Sequence, residues 1–287
     1  MPYATDPRRK PTTRGCASLV YNWIIIMATQ NQLTHAQHTV PQWHLRNFAD
    51  DNGDVWRYKQ YEPVKRSRPK GECWELDFYE YELNGKKTAN EYENWLGRIE
   101  NDGATKLQRL IAGDQLDLLG ATVWASYVAS LFARSEKYRS QISAAMVQKF
   151  RTETQNPDFI RNLQHELLKE GQLVFADDLQ KEIDGFREKM ENSPSFYHLC
   201  GLQRNTVSLA DAVMRKTWHV IQSPSEKYFL TSDCPVTTVE LVDGQVKPGT
   251  GFAKEHTAII LAITPRALFV AASPTIQWKS EGCVRED

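Results

Sequence analysis

The spacing of apolar residues changes once along the chain, and this change constrains the possible folds more than any other feature. Between residues 90 and 217, apolar side chains recur with the period of helices that pack through one face. From 218 to 275 they form short runs separated by proline and glycine, a pattern typical of antiparallel strands. The sequence therefore predicts an α+β fold in which a helical middle packs on a mostly antiparallel sheet.

The same patterns predict the individual segments. The predicted helices cover 34–50 (entered at Pro41), 90–112, 116–149 as one long helix, two helices within 157–192 split near Gly171, and 197–217. The predicted strands cover 54–58, 73–83, 218–221, 227–231, 236–241, 257–263 and 267–271. The amino-terminal strands are candidates for the same sheet as those of the carboxyl-terminal third.

Residues 1–26 differ from the rest of the chain. They combine a basic stretch with an apolar run that is shorter than the ~20 residues of a membrane span. We interpret them as a non-native or mis-assigned leader, with translation starting at Met27; a signal peptide and a membrane anchor are the alternatives. Residues 27–287 are then one α+β domain, helical over about 90–217 and β-rich over about 218–275.

Charge, cysteine usage and missing motifs exclude several classes of protein. Residues 1–26 carry a net charge of +3, so the remaining chain has −4 against −1 for the whole. A chain this acidic does not rely on bulk attraction to phosphate. The five cysteines are scattered without a C-x-x-C pair, which argues against a zinc knuckle or a disulfide framework and favours a reducing, cytoplasmic location. The P-loop, Rossmann, G-x-S-x-G and H-E-x-x-H motifs are also missing from the sequence.

Two early segments contain residues that could carry chemistry. His35, His38 and His44 lie before or within the first predicted helix, and histidine suits metal ligation or proton transfer near neutral pH. The alternative for His38 is a hydrogen bond that fixes the start of that helix. Glu93 and Glu100 are nearly two helical turns apart and therefore share one side of their helix. The functional interpretation is a metal ligand or general base, and the structural one is an ordinary salt bridge.

Later candidates are Arg134, Asp233 and Cys234. Arg134 lies at the margin of the apolar face of its helix, where it needs a carboxylate or a phosphate, and Glu100 is the obvious candidate. Asp233 follows a predicted strand and is either a site residue or the start of a turn. Cys234 could act as a nucleophile, although nothing in the sequence indicates a lowered thiol pKa.

Two blocks of sequence are specific enough to suggest a family. They are His38-Thr-Val-Pro-Gln-Trp-His-Leu-Arg-Asn-Phe48 and Phe229-Leu-Thr-Ser-Asp-Cys-Pro-Val236. With these blocks, the chain resembles the prokaryotic domain-of-unknown-function family 4238 over about 34–272. The resemblance implies the following site positions: His38, Arg46, Glu100, Arg134 and Asp233. The chain departs from the family pattern at His44, where tyrosine or phenylalanine is expected, and at Cys234, where asparagine is usual.

The family resemblance implies no activity, because none is assigned to the family. It does support a start at Met27, because the opening block of its members lies close to the amino terminus. If the five positions converge, a histidine, two carboxylates and two arginines would form a pocket suited to an anionic group.

We therefore expect a bacterial, cytoplasmic enzyme that cleaves a phosphodiester, a nuclease of a defence or toxin type. The expected ligands of a divalent ion, Mg²⁺ or Mn²⁺, are His38, Glu100 and Asp233, and His38 is alternatively the general base. Arg46 and Arg134 would bind the phosphate. The basic residues within 65–70 would follow a nucleic-acid backbone.

Two other functions stay open at this stage. The same residues could form a buried polar network in a non-catalytic module. They could also form a sensor pocket for an anionic small molecule such as a nucleotide. None of these alternatives includes stable membrane insertion, and the sequence does not predict the oligomeric state.

Overall fold

The structure is a computed structural model that describes residues 35–79, 82–83, 86–87, 91–192, 194–224, 226–242, 245–249 and 251–273. The predicted leader, residues 1–26, and the predicted start at Met27 lie outside the described residues. Within them the chain divides into two compact units, one holding 141–201 and the other holding 35–140 and 202–273. The single domain expected over 27–287 stays a prediction.

The amino-terminal part of the larger unit consists of short elements. They are β1 (Ala36–His38), α1 (Gln42–Arg46), β2 (Val55–Arg57), β3 (Lys65–Ser67), a 3₁₀ turn (Pro69–Gly71), β4 (Trp74–Leu76), β5 (Glu82–Leu83) and β6 (Lys86–Lys87). The helix predicted over 34–50 is thus only one turn long, because residues 36–38 pair with β4 instead.

These amino-terminal strands do not extend the carboxyl-terminal sheet, contrary to the possibility raised from the sequence. Instead they pair with one another in three two-stranded sheets, β1 with β4, β2 with β3 and β5 with β6. The described ladders are two or three residues long. Strands β2 with β3 and β5 with β6 are local pairs, whereas β1 pairs with β4 across the intervening β2–β3 segment.

Helices form the middle of the chain as predicted. They are α2 (Glu91–Ile111), α3 (Leu118–Ala133), α4 (Glu136–Thr154), α5 (Phe159–Lys169), α6 (Ala176–Asn192) and α7 (Pro194–Met214). Asp117 caps α3 by accepting a hydrogen bond from Gly120 N at 2.8 Å. Helices α2 and α3 approach closely at Gly103, where a Cβ would lie 3.0 Å from the ring carbon Cγ of Tyr127.

The single helix predicted over 116–149 is wrong, because the chain breaks at Arg134 and Ser135. Ser135 Oγ accepts a hydrogen bond from Tyr138 N at 3.3 Å and so caps the start of α4. The apolar period continues across this break, which hides it in the sequence. The break allows the Arg134 side chain to turn into the interior, where it is 1% exposed.

The smaller unit contains the helical hairpin of α5 and α6. Their buried residues are Leu163, Leu167, Leu179 and Ile183. The split predicted near Gly171 is confirmed, and Gly171 has a φ of +81°, a left-handed conformation that favours glycine.

The carboxyl-terminal third forms the main sheet, so the predicted α+β fold is confirmed. Its strands are β7 (Thr217–Gln222), β8 (Val236–Val242), β9 (Gln245–Pro248), β10 (Thr257–Thr264) and β11 (Ala267–Ala272). All pairs are antiparallel, in the order β7-β11-β10-β8-β9. Strand β10 is largely buried on both faces, as its run of aliphatic residues predicts.

Residues 227–231, predicted as a strand, form an irregular segment instead. Arg266 holds it in place, because its Nη1 donates to the carbonyl oxygens of Pro224 (2.9 Å) and Lys227 (3.0 Å). The Arg266 guanidinium also lies 4.0 Å from the ring centroid of Tyr228. Tyr228 and Leu230 are exposed, so the alternating apolar residues of this segment do not cover a core.

The core of the larger unit lies between the helices and the sheet. Its buried side chains include Leu107 of α2, Trp124 of α3, Val213 of α7, Ile259 of β10 and Phe269 of β11. The rings of Trp124 and Phe269 meet edge to face with centroids 5.6 Å apart. This core fixes α2 and α3 side by side, and both helices carry residues of the candidate site.

Candidate functional site

An ion pair between Glu100 and Arg134 is the centre of the candidate site. Glu100 projects from α2 and Arg134 directly follows α3, and Arg134 Nη1 lies 2.5 Å from Glu100 Oε1. Burial opposes the guanidinium charge, but the Glu100 carboxylate overcomes it and raises the pKa of Arg134 above its ordinary value. The pairing expected from the sequence is therefore present.

The Arg134 guanidinium has more hydrogen-bond donors than the Glu100 carboxylate accepts. Its Nε and Nη2 atoms are buried and make no hydrogen bond of good geometry among the described residues, although the Tyr79 hydroxyl lies near the guanidinium and favours its charge. A buried donor without an acceptor costs about 1–3 kcal/mol, and more when it is charged. The site therefore contains a cation that one carboxylate does not fully satisfy.

Glu93 lies on the same side of α2 as Glu100 and behaves differently. It has no arginine partner among the described residues, and burial together with the charge of Glu100 raises its pKa to about 7. Glu100 is paired with Arg134, whereas Glu93 keeps its proton up to about neutral pH. Two carboxylates on one helix face thus have different electrostatic surroundings.

His38, at the end of β1, lies near the same charges. Its Nε2 is 3.3 Å from the carbonyl oxygen of Lys70, which can only accept, so Nε2 carries the proton and Nδ1 the lone pair. Partial burial lowers the pKa of His38, with opposing effects from Glu100 and Arg134. His38 is therefore neutral at neutral pH and could accept a proton at Nδ1.

Tyr79 connects this histidine to the core. Its hydroxyl donates to the carbonyl oxygen of His38 at 3.3 Å, and its side chain is 2% exposed. Gln37, the neighbour of His38, accepts a hydrogen bond from Tyr79 N at 2.5 Å. These two bonds fix the end of β1 and so the position of the imidazole.

His44, one of the three early histidines and a departure from the family pattern, is a buried residue of this region. It is 0% exposed, and its Nδ1 is hydrogen-bonded to the Tyr127 hydroxyl at 3.0 Å. Its Nε2 lies 3.4 Å from Thr231 Oγ1. Burial, reinforced by the charge of Arg134, lowers the pKa of His44 to about 3. His44 therefore stays neutral and ties α1 to α3 and to the Thr231 segment.

Arg46 and Asp233, the other two predicted site residues, are exposed. Arg46 Nη2 donates to Gln42 Oε1, 3.3 Å away on the same helix turn. The Asp233 carboxylate lies near the thiols of Cys73 and Cys234. Neither residue has a hydrogen bond or ion pair to Glu100 or Arg134 within the described parts of the chain. The structure thus brings together three of the five predicted residues, His38, Glu100 and Arg134.

The two thiols near Asp233 are poor nucleophiles. Burial, with a contribution from Asp233, raises the pKa of Cys73 to about 12. Burial also raises the pKa of Cys234 above its ordinary value. Because the thiolate is the reactive form, the structure gives no support to a nucleophilic Cys234.

The metal-ligand set expected from the sequence, His38, Glu100 and Asp233, stays a prediction. Within the described residues, no group of three or more His, Cys, Asp and Glu side chains could hold a metal ion. Arg134 is paired with the Glu100 carboxylate, and Asp233 lies near the thiol of Cys73.

The basic residues within 65–70 are also less free than expected. Arg66 Nη2 lies 2.6 Å from Asp50 Oδ2, and Arg68 Nε lies 3.0 Å from Asp54 Oδ1. Lys65 Nζ is 3.9 Å from Glu62 Oε2. Most of this segment's charge is thus balanced locally and is poorly suited to follow a nucleic-acid backbone by charge alone.

The assembled groups can transfer protons. A neutral imidazole and a protonated carboxyl group flank one buried ion pair, and their different pKa values are what general acid–base catalysis near pH 7 requires.

No helix within the described ranges is long and apolar enough to cross a membrane.

Comparison with known proteins gives a family match. A family model described as "Protein of unknown function (DUF4238)" matches residues 36–284. This range includes all five residues that the resemblance identified. Comparison with curated proteins and with solved structures finds no match.

Proposed function

We propose that this chain, which belongs to the DUF4238 family of proteins of unknown function, cleaves phosphodiesters by general acid–base catalysis. The finer proposal is a nuclease of a bacterial defence or toxin system that acts in the cytoplasm. The observation that carries the proposal is the difference between Glu93, whose pKa burial raises to about 7, and Glu100, which is ion-paired with Arg134.

Each group has a role in this reaction. His38 Nδ1 takes a proton from the attacking hydroxyl or water, and Glu93 gives its proton to the leaving oxygen. The unsatisfied donors of Arg134 favour an anionic oxygen, and a phosphate offers several. Glu100 keeps Arg134 charged and oriented while the substrate is absent.

Arg46 and Asp233, the two exposed predicted residues, act outside the buried ion pair. Arg46 binds a flanking phosphate of the substrate. Asp233 orients the attacking water. Free thiols at Cys73 and Cys234 are compatible with a reducing compartment and support the cytoplasmic location.

The test compares cleavage of labelled single-stranded and duplex DNA and RNA by four proteins. They are the wild type, His38→Ala, Glu93→Gln and the control His35→Ala. His35 is a good control because it is an exposed histidine nearby, paired with Asp77 at 2.7 Å. We expect the His38 and Glu93 variants to lose roughly 10²–10⁴-fold in rate, the usual contribution of one general acid or base, and the control to retain activity.

The pH profile makes the test sharper. Activity should rise with pH as His38 loses its proton, below its ordinary 6.5, and fall as Glu93 loses its proton around 7. Glu93→Gln should remove the fall at higher pH. Cleavage that is equally fast in all four proteins would contradict the proposed chemistry.

A second candidate function is a non-catalytic module. It is favoured by the depth of Arg134, which is 1% exposed and held by a 2.5 Å ion pair, as in a buried structural network. It predicts no cleavage and a large loss of stability when one partner is removed. A sensor pocket instead predicts saturable binding of an anionic small molecule without turnover.

A further inference from the structure

Trp74 lies directly opposite His38 in the small sheet of β1 and β4. The register pairs these two residues across the antiparallel ladder. Residues that are directly opposite in such a ladder project from the same face of the sheet. The indole of Trp74 is therefore a side-by-side neighbour of the proposed general base.

The Trp74 ring is exposed but held at one edge. Trp74 is 42% exposed, and its Nε1 donates a hydrogen bond to the carbonyl oxygen of Gly71 at 3.2 Å. Leu76, two positions along the same face, is 68% exposed. An apolar strip with one anchored ring thus runs beside His38 without a core to cover it.

We propose that Trp74 is a stacking platform for a base of single-stranded nucleic acid whose phosphodiester lies at His38. This inference rests on the proposed phosphodiester chemistry and names its substrate class. Aromatic rings bind single strands because every base has a flat π face that is free once it is unpaired. In a duplex the bases are already stacked and paired, so the platform selects against double strands.

The charges around the platform fit a substrate bound mainly by stacking. Arg57 lies 3.2 Å from Glu62, and Arg66 lies 2.6 Å from Asp50, so both cations are already paired. Lys70 is exposed and reaches His38 through its carbonyl oxygen. With these two cations paired, the surface beside Trp74 contributes stacking more than charge to the affinity.

The experiment measures the affinity of a fluorescently labelled single-stranded oligonucleotide by anisotropy. It is done in the Glu93→Gln background, so that cleavage does not consume the probe. Trp74→Leu keeps an apolar side chain but removes the ring, and Trp74→Phe keeps a ring. Trp56→Leu is the matched control, because Trp56 is 54% exposed on the separate β2–β3 hairpin.

We expect Trp74→Leu to weaken binding roughly 5- to 100-fold, the usual effect of losing one stacked base. Trp74→Phe and Trp56→Leu should stay close to the parent protein. In the parent protein, where Trp74 is intact, the single strand should bind more tightly than a duplex of the same sequence.

The outcomes separate this inference from the proposed function. Equal affinity of Trp74→Leu and its parent, or equal affinity for single strand and duplex, would overturn the platform while His38-dependent cleavage could still stand. If Trp74→Leu fails to fold, the comparison of single strand with duplex decides alone. Loss of binding in Trp56→Leu instead of Trp74→Leu would move the nucleic-acid surface to the other hairpin and also overturn the inference.

Discussion

Glu93 is the residue whose proton links the candidate site to pH. Its pKa is about 7 in the folded protein against an ordinary 4.5, so the folded state binds this proton more tightly than the unfolded chain does. The stabilisation is complete below about 4.5 and is lost as pH rises through about 7. Burial of one carboxylate thus makes the fold weaker on the alkaline side.

We expect Glu93→Gln to remove this dependence. At pH 8 the variant should be more stable than the wild type by on the order of 2 kcal/mol, and below pH 4.5 the two should be similar. Urea unfolding at a series of pH values measures the difference. A wild-type stability that stays flat from pH 4.5 to 8 would show that Glu93 is not buried as a neutral acid.

The ion pair of Glu100 and Arg134 gives a second prediction at this scale. Arg134→Met leaves the Glu100 carboxylate without its partner, and Glu100→Gln leaves the guanidinium without its counter-charge. Each single change should cost about 3–5 kcal/mol, because an unpaired buried charge is expensive. The double variant should cost less than the two singles together.

Urea unfolding of the four proteins gives the coupling energy of the pair. Strictly additive losses would mean that the two side chains do not depend on each other. If the double variant approaches wild-type stability but cleaves nothing, the pair serves function more than stability.

At the scale of helices, the contact of α2 with α3 depends on a glycine. A Cβ at Gly103 would meet the Tyr127 ring at 3.0 Å, whereas a Cβ at Gly97 of the same helix would have nothing within 4 Å. We expect Gly103→Ala to destabilise the protein by about 1–3 kcal/mol through overpacking. Gly97→Ala should stabilise it by about 0.5–1 kcal/mol, because alanine favours a helix interior. Thermal unfolding of both variants measures this contrast, and equal shifts would contradict the close approach.

The elements that the sequence predicts well are those with a clear period. Buried β10 and β11 and the amphipathic α5 and α6 match their apolar patterns. The break after α3 is missed because the apolar period continues across Arg134 and Ser135. Segment 227–231 is missed because Arg266, far along the chain, holds its backbone. Local patterns contain no information on such contacts.

The candidate site is predicted in part for a similar reason. Helical spacing places Glu93 and Glu100 together, and a charge on an apolar face predicts the Arg134 pair. The protonation of Glu93 could not be predicted, because it depends on burial by the folded chain. The metal site of His38, Glu100 and Asp233 stays a prediction.

At the scale of the whole molecule, the predicted metal ligands His38, Glu100 and Asp233 come from three distant segments of the sequence. We expect Mn²⁺ to change the melting temperature of the wild type and of Asp233→Ala to the same extent, because no described three-ligand group includes Asp233. Differential scanning fluorimetry with and without Mn²⁺ checks this. A stabilisation present in the wild type and lost in Asp233→Ala would restore the predicted metal site.

The hydrogen bond between Thr231 and His44 joins residues 187 positions apart. A ribosome adds about 5–20 residues per second, so Thr231 is synthesised roughly 10–40 s after His44. During that time the opening block of the nascent chain lacks the segment that His44 later contacts. The block is then open to chaperones and proteases. A chain released before Thr231 lacks the residue that completes this network, so the site closes only after residue 231 has been synthesised.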